Sequence, residues 1–145
     1  MRKPKRKRYV APITIGWRER VSLPDLGIDF VAKMDTGAEY CALHATKIKR
    51  QGEFISFQFE PGETLQAPRD RRKTIKHSDG RTKRRFVINT RVKIGTKLID
   101  ATVTLIDRSK MKHKMLLGRR SLRGHFIIDP KRRFTLSKKK KPLVK

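Results

Sequence analysis

The chain has 145 residues, of which 36% are hydrophobic, and it carries a formal net charge of +26 at neutral pH. This length is enough for one domain with a hydrophobic core and too short for two. The single cysteine, Cys41, excludes a disulfide framework and a thiolate metal cluster. No apolar run reaches the length of a membrane span or of a signal sequence, so the sequence predicts a cytoplasmic protein without membrane attachment.

The positive charge is densest at the two ends of the chain, while residues 9–137 still carry a net charge of +15, from 28 basic and 13 acidic residues. Residues 1–8 hold six basic side chains and residues 138–145 hold five, with no acidic residue in either segment. Because such segments repel themselves, we expect a basic disordered arm over 1–8, a folded domain over 9–137 and a basic disordered tail over 138–145. Solvated tails and tails that contact RNA or the ribosome are both compatible with this charge.

Alternating apolar positions predict strands in the first third of the chain. Residues 13–23 are mostly apolar at every second position, which is typical of a half-buried strand. Residues 24–27, Pro-Asp-Leu-Gly, have turn chemistry, and residues 28–35 predict the returning strand of a hairpin. Residues 42–45 fit either a short strand or a helical turn.

The rest of the chain continues in short apolar runs separated by turns. Residues 54–59 predict a strand and residues 61–72 a loop, while Asp79-Gly80 is a hairpin signal within the basic segment 69–85. Residues 86–105 predict a longer hairpin around Gly95. This many short strands with Gly and Pro turns indicates a mainly β domain, a barrel or a sandwich, with helix expected only after Gly118.

The candidate catalytic stretch is Asp35-Thr36-Gly37, which follows directly on a predicted strand. Gly37 lets the backbone turn sharply close to the carboxylate, and the Thr36 hydroxyl can join a hydrogen-bond network around it. Such a tripeptide alone is more often an ordinary turn. A second stretch far downstream, residues 115–118 (Met-Leu-Leu-Gly), has the pattern of a buried strand that ends in glycine.

Taken together, the two stretches resemble aspartic proteases of the retroviral type. These carry an Asp-Thr/Ser-Gly-Ala turn and a later apolar-apolar-Gly-Arg stretch that packs beneath it and opens a short helix. More closely, the chain is similar to the bacterial retropepsin-like aspartic endopeptidases that are also named ATP-dependent zinc proteases and are found beside ATP-grasp ligases. The matching stretches are Ile-Gly-Trp-Arg-Glu (15–19), Leu-Pro-Asp-Leu-Gly-Ile (23–28), Ala-Lys-Met-Asp-Thr-Gly-Ala (32–38), Ala-Leu-His-Ala (42–45), Asp-Arg (107–108), Met-Leu-Leu-Gly-Arg (115–119) and Phe-Ile-Ile-Asp-Pro (126–130).

The resemblance implies a closed barrel of six or more strands with one short helix after Gly118. It also implies a homodimeric aspartic endopeptidase with one catalytic Asp35 per subunit, assisted by Thr36 and Gly37. The competing interpretation is a non-catalytic RNA- or ribosome-binding module on the same fold, which the basic ends favour.

The hairpin at residues 73–86 is the expected flap over the substrate. Its many lysines and arginines predict an acidic peptide as substrate. Because members of the family are found beside ligases that add glutamate to proteins, the resemblance also implies a glutamylated protein tail as substrate and an ATP-grasp ligase as partner. The residues expected to contact substrate are Ala38, Lys76, His77, Asp79, Gly80, Arg81, Leu117, Gly118 and Arg119.

Two departures from the family pattern stand out. Residues 39–41 are Glu-Tyr-Cys, which places a second carboxylate near Asp35, and the flap carries Lys83 where an acid is common. No metal or other cofactor is expected, because the sequence has no His-Glu-x-x-His motif and no Walker phosphate loop. Cys41 and His44 have a spacing that leaves zinc open as the minor alternative.

Overall fold

The computed structural model describes residues 9–70 and 85–136, which form eleven strands and one short helix. The strands are β1 (Ile13–Gly16), β2 (Arg18–Leu23), β3 (Ile28–Asp35), β4 (Cys41–His44), β5 (Thr46–Gln51), β6 (Phe54–Gln58), β7 (Thr64–Pro68), β8 (Phe86–Ile94), β9 (Lys97–Ile106), β10 (Met115–Gly118) and β11 (Phe126–Asp129). The helix, α1 (Arg119–Leu122), begins directly after Gly118, as predicted.

Six strands close into a barrel in the order β10-β3-β2-β8-β9-β4. The barrel is mixed: β10 runs parallel to β3 and β4 parallel to β9, and the other pairs are antiparallel. The predicted fold class, a mainly β closed barrel with one short helix, is confirmed. The parallel pair β3–β10 places Gly118 opposite Asp35, which sets the position of the candidate site.

Apolar side chains on one face of each barrel strand fill the interior. Along β2 and β3 the burial alternates with a period of two, so Val21, Leu23, Ala32 and Met34 point inward. The removal of such side chains from water is the main favourable term in folding. The outer face of the same strands is thereby left for polar and charged residues.

Beside the barrel, β5, β6 and β7 form a three-stranded antiparallel sheet. The prediction of a loop over 61–72 is therefore wrong at Thr64–Pro68, which pairs along its whole length with β6. The segment has only two aliphatic side chains apart from its proline, so its stabilisation comes from packing on the apolar β6 rather than from its own pattern. Residues 42–45, left open between strand and helix, fall mainly in strand β4.

The predicted strand over 13–23 is interrupted at Trp17, which separates β1 from β2. β1 leaves the barrel to pair in parallel with β11. The fully buried Glu19 carboxylate accepts hydrogen bonds from the amides of Gly16, Thr135 and Leu136 at 2.9, 2.8 and 3.2 Å. This buried acid fastens the last described residues onto the start of β2.

The predicted arms, 1–8 and 138–145, lie outside the described residues, so the domain limits stay predictions. No helix among residues 9–70 and 85–136 is long and apolar enough to cross a membrane.

Candidate active site at the Asp35 turn

Asp35 ends strand β3 and is half-buried, whereas Thr36 and Gly37 are exposed. The Gly37 amide donates to Asp35 Oδ1 at 3.1 Å, and the Ala38 amide donates to the Asp35 carbonyl at 3.1 Å. A Cβ at Gly37 would lie 3.2 Å from the same carboxylate oxygen, so a side chain there would crowd it. The main chain of the turn therefore orients the Asp35 carboxylate, which lies at the surface of the barrel.

The turn is held from behind by the junction of β10 and α1. A Cβ at Gly118 would lie 2.5 Å from both the carbonyl carbon and the oxygen of Tyr40, so only glycine fits. The Arg119 amide donates to the Ala38 carbonyl at 2.8 Å, and the Arg119 guanidinium donates to the Gly37 carbonyl at 3.2 Å. These contacts attach the loop that carries Asp35 to strand β10 and to helix α1. The attachment limits the motion of this loop.

The expected substrate contacts are placed as follows. Ala38, Gly118 and Arg119 lie together at the turn, whereas Leu117 is fully buried and faces the core. Its neighbour Leu116 is half-buried on the outer face of β10. Lys76, His77, Asp79, Gly80 and Arg81 lie outside the described residues, so their roles stay predictions.

The chain comes back to the barrel where that undescribed segment ends. The Asp70 amide donates to the Val87 carbonyl at 2.8 Å, and Arg69 forms a bridge with Ile88. The two flanks of residues 71–84 are thus neighbours, which is the arrangement that a hairpin needs.

The unusual segment 39–41 is engaged with α1. The Glu39 carboxylate lies 2.9 Å from Arg120 Nε, and the same guanidinium lies over the Tyr40 ring at 5.3 Å. Burial raises the pKa of the Cys41 thiol, whose sulfur contacts Ser121 Oγ at 3.3 Å. The Glu39 carboxylate is therefore paired with Arg120 on α1. Cys41 is a neutral buried group.

Cationic side chains of β2 and β3 lie on the same face of the sheet as Asp35. In the β2–β3 register Arg18 is directly opposite Lys33, and Lys33 precedes Asp35 by two residues on the same face. Like charges directly opposite each other destabilise a sheet. Arg18 is also placed over the Trp17 ring, at 5.5 Å. We name Arg18 and Lys33 the cationic row.

Arg108 is a third cation near this row, since it acts on the same His113 ring as Arg18 and Lys33. It is 8% exposed, and its Nε donates to the His113 carbonyl at 3.0 Å. Burial lowers the pKa of Arg108, and the Asp35 carboxylate partly opposes that shift, so the two groups interact electrostatically. Its main-chain amide donates to His44 Nδ1 at 2.8 Å.

Both histidines near the site are held neutral. Burial lowers the pKa of His44 and of His113, and the pKa of His113 is lowered further by Arg18, Lys112, Lys33 and Arg108. His113 packs edge-on against Trp17, with ring centroids 6.0 Å apart. These imidazoles therefore act as packing and hydrogen-bonding groups, and they leave the positive charge of the site to lysine and arginine.

The residues of the described segments offer no group of three His, Cys, Asp or Glu that could hold a metal ion. Cys41 and His44 are three residues apart on one strand and so point to opposite faces. Each is also engaged with a different element, Cys41 with α1 and His44 with the main chain at Arg108. Their sequence spacing therefore does not bring them together as a chelating pair.

Comparisons with known proteins agree with this architecture. Residues 14–139 match the sequence profile of the family described as "Retropepsin-like aspartic endopeptidase RimB". A curated relative from Desulfotalea psychrophila, named "Probable alpha-L-glutamate ligase", is 37% identical over 133 residues, which are 83% of this chain and 29% of that protein. One of the same name from Shewanella pealeana is 32% identical over 137 residues, 86% of this chain and 30% of that protein. The chain thus spans less than a third of the length of these two relatives.

A solved structure has the same fold. The crystal structure of a Legionella pneumophila protein of unknown function superposes with a TM-score of 0.74 at 24% identity, and the match covers 86% of this chain and 98% of that one.

Proposed function

Because the chain belongs to the family of retropepsin-like aspartic endopeptidases, we propose that it cleaves peptide bonds as a homodimer with one Asp35 from each copy. The observation that carries the proposal is the Asp35 turn, a carboxylate at the surface end of a barrel strand, fixed from behind by Gly118 and Arg119. A surface carboxylate on a rigid support is suited to meeting its symmetry mate across a two-fold axis.

The mechanism follows from the repulsion between two such groups. Two carboxylates at close range cannot both keep a full negative charge, so the pair shares one proton and titrates as a coupled unit. The ionised carboxylate takes a proton from a bound water, whose oxygen attacks the scissile carbonyl carbon. The protonated carboxyl donates its proton to the carbonyl oxygen, which gives a neutral tetrahedral diol. The carboxyl that took the proton from water then passes it to the amide nitrogen as the C–N bond breaks, and the other carboxylate takes back a proton from the diol, which becomes the new carboxyl group. Thr36 and the Gly37 amide keep the two groups in orientation.

The dimer requirement gives a direct test. The rate of cleavage of a glutamate-rich fluorogenic peptide per chain is expected to rise with protein concentration and to level off where sedimentation shows only dimer. A rate per chain that stays constant down to concentrations where the protein sediments as a monomer would exclude a shared site.

We further propose that the substrate is acidic. The cationic row places Lys33 two residues before Asp35 on the same face, so a carboxylate of a bound peptide beside the scissile bond can reach it. Leu116, directly opposite Lys33 on β10, supplies an apolar wall next to that position. Arg108, which interacts electrostatically with Asp35, adds to the positive potential near the row. A cluster of positive charge at a binding site favours negatively charged substrates.

Exchanging the sign at Lys33 tests this assignment. Lys33→Glu is expected to lower kcat/KM for a glutamate-rich peptide by about tenfold or more and to raise it for a matched lysine-rich peptide, because a charge-assisted contact becomes repulsive. The control is Lys49→Glu, the same change on the exposed edge strand β5. If both variants change the preference equally, only net charge matters and Lys33 does not select the substrate.

An ATP-grasp ligase is the proposed partner, and the cytoplasm the proposed location. The support is that proteins named probable alpha-L-glutamate ligase contain a segment similar to this chain within a much longer polypeptide. A ligase that adds glutamate would make the kind of acidic chain that the cationic row fits, so the two activities would act on the same class of substrate.

A further inference from the structure

An open cavity of about 480 Å³ lies between helix α1, strands β8 and β9, and the turn that joins β2 to β3. Residues 35–38 do not line it, and neither does the cationic row. The volume corresponds to about sixteen water molecules at ~30 Å³ each, so the cavity has room for a small organic molecule. It is therefore a candidate binding site separate from the Asp35 turn.

The charged side chains around this cavity cancel in sign. Asp25 and Arg91 bind each other, since Arg91 Nε and Nη2 donate to the carboxylate at 3.0 and 2.5 Å. Asp100 on β9 and Arg120 on α1 are the second acid and the second base. Because these four charges sum to zero in a chain of net charge +26, the cavity does not favour polyanions as the rest of the chain does. A ligand that matches it carries no net charge, or one charge of each sign.

Asp100 and Arg120 both keep binding capacity for such a ligand. Asp100 is exposed and makes no side-chain hydrogen bond within residues 9–70 and 85–136, although it lies directly opposite Arg91 in the β8–β9 register. Arg120 binds the Glu39 carboxylate through Nε at 2.9 Å, and a guanidinium has four further N–H donors. An ammonium group can therefore bind Asp100 while a carboxylate binds Arg120.

Uncharged polar groups on the wall add capacity between the two charges. Thr90 is 6% exposed, and its Oγ1 has no hydrogen-bond partner in the part of the chain that the structure describes. A buried hydroxyl without a partner is unusual in folded proteins, and a molecule bound beside it can supply the partner. Asn89 accepts from the Thr102 hydroxyl through Oδ1 at 3.4 Å, and its NH₂ group offers two donors. These donors suit a carbonyl oxygen.

We propose that this cavity binds a zwitterionic short peptide of roughly two or three residues, as a function separate from peptide cleavage. The ammonium group of the peptide binds Asp100, and its carboxylate binds Arg120. Thr90 and Asn89 donate to a peptide carbonyl. A free amino acid carries the same two charges, but it has no peptide group and fills a smaller part of the cavity.

The test uses the full-length Asp35→Asn chain, so that the peptide is not cleaved during the measurement. Trialanine is titrated into isotope-labelled protein, and the amide signals of Thr90, Ala101 and Ser121 are followed by NMR. We expect saturable shifts at these signals. Trialanine blocked by an acetyl group and an amide has no charge at either end, so we expect it to bind at least about tenfold more weakly.

Two pairs of variants locate the contacts. Asp100→Asn is expected to weaken trialanine binding about tenfold through loss of a charge-assisted contact. Glu63→Gln, which neutralises an exposed carboxylate between β6 and β7, is its control and should bind like the parent. Thr90→Val is expected to weaken binding about fivefold. Its control is Thr104→Val, because Thr104 is 5% exposed and also lacks a partner among the described residues, but does not line the cavity.

Neither threonine variant should lower the urea midpoint, because no hydrogen bond is lost in the unbound protein. If Thr90→Val does not fold, Asn89→Ala on the same wall replaces it in the comparison, since Asn89 is exposed.

Four outcomes would overturn the proposal. Trialanine without saturable shifts at Thr90 and Ser121 would mean that the cavity binds no peptide. Equal binding of the blocked peptide would mean that the charges are not recognised. Equal losses within either pair of variants would mean that these side chains do not contact the peptide. Shifts confined to residues 35–38 would place the peptide at the active site. None of these outcomes bears on peptide cleavage, which the dimer experiment tests separately.

Discussion

Asp35→Asn is expected to remove peptide cleavage while leaving the fold and the dimer intact. Asparagine keeps the size of the side chain and can still accept the hydrogen bond from the Gly37 amide, so the turn is preserved. It cannot take a proton from water, and loss of a positioned general base lowers rates by about 10²–10⁴-fold. Cleavage of a glutamate-rich peptide, followed by mass spectrometry, measures the effect, with circular dichroism and sedimentation as checks on structure.

The Asp35→Asn variant also tests whether the active site is shared between two chains. Mixed dimers hold one carboxyl and one amide, and an excess of Asp35→Asn should therefore suppress the activity of the native protein. Unaltered native activity in such a mixture, or appreciable cleavage by Asp35→Asn alone, would mean that Asp35 does not carry the reaction.

Gly118→Ala is expected to be the most damaging small substitution near the site. Its Cβ would meet the Tyr40 carbonyl group at 2.5 Å, and a main-chain group in a strand junction cannot move aside easily. Overpacking of this kind lowers the free energy of unfolding by about 1–3 kcal/mol. Because the displaced segment leads back to Asp35, we expect kcat to fall as well. Urea denaturation and the cleavage assay measure the two effects.

Gly62→Ala is the matched control, in the turn between β6 and β7. Gly62 has a φ of +83° and nothing within 4 Å of its Cβ position, so alanine there costs about 1–2 kcal/mol from the backbone alone. It should destabilise the protein without changing kcat. A Gly118→Ala protein with native stability and kcat would show that the junction does not position the turn.

Patterns with a strict period of two were sufficient to predict much of the barrel. Residues 28–35 form β3, and the hairpin around Gly95 is the β8–β9 pair, because each alternates between a buried and an outer face. The helix after Gly118 was likewise expected. Strands β5 and β7 were not predicted, since β5 is mostly polar, β7 has only two aliphatic side chains, and the pairing of both depends on the apolar β6 between them.

The candidate site could be predicted only in part. In the sequence, the site is indicated by Asp35-Thr36-Gly37 and by the later Gly118. The structure places Gly118 opposite Asp35. The cationic row was missed because it depends on the register of two strands, which brings Arg18 opposite Lys33 from fifteen positions away. Glu19 belongs to the matching stretch 15–19 and to an alternating strand, but nothing local shows that a distant segment at Thr135 supplies its hydrogen-bond donors.

The Glu19 carboxylate binds the amides of Gly16, Thr135 and Leu136, so the start of the domain and its last described residues are neighbours, which has a consequence for the architecture of larger proteins. A domain whose entry and exit are neighbours can be inserted into, or joined to, another polypeptide without stretching a linker across its body. A polypeptide joined to the domain there would be attached at a single point, and the barrel would keep its own closed set of strand pairs.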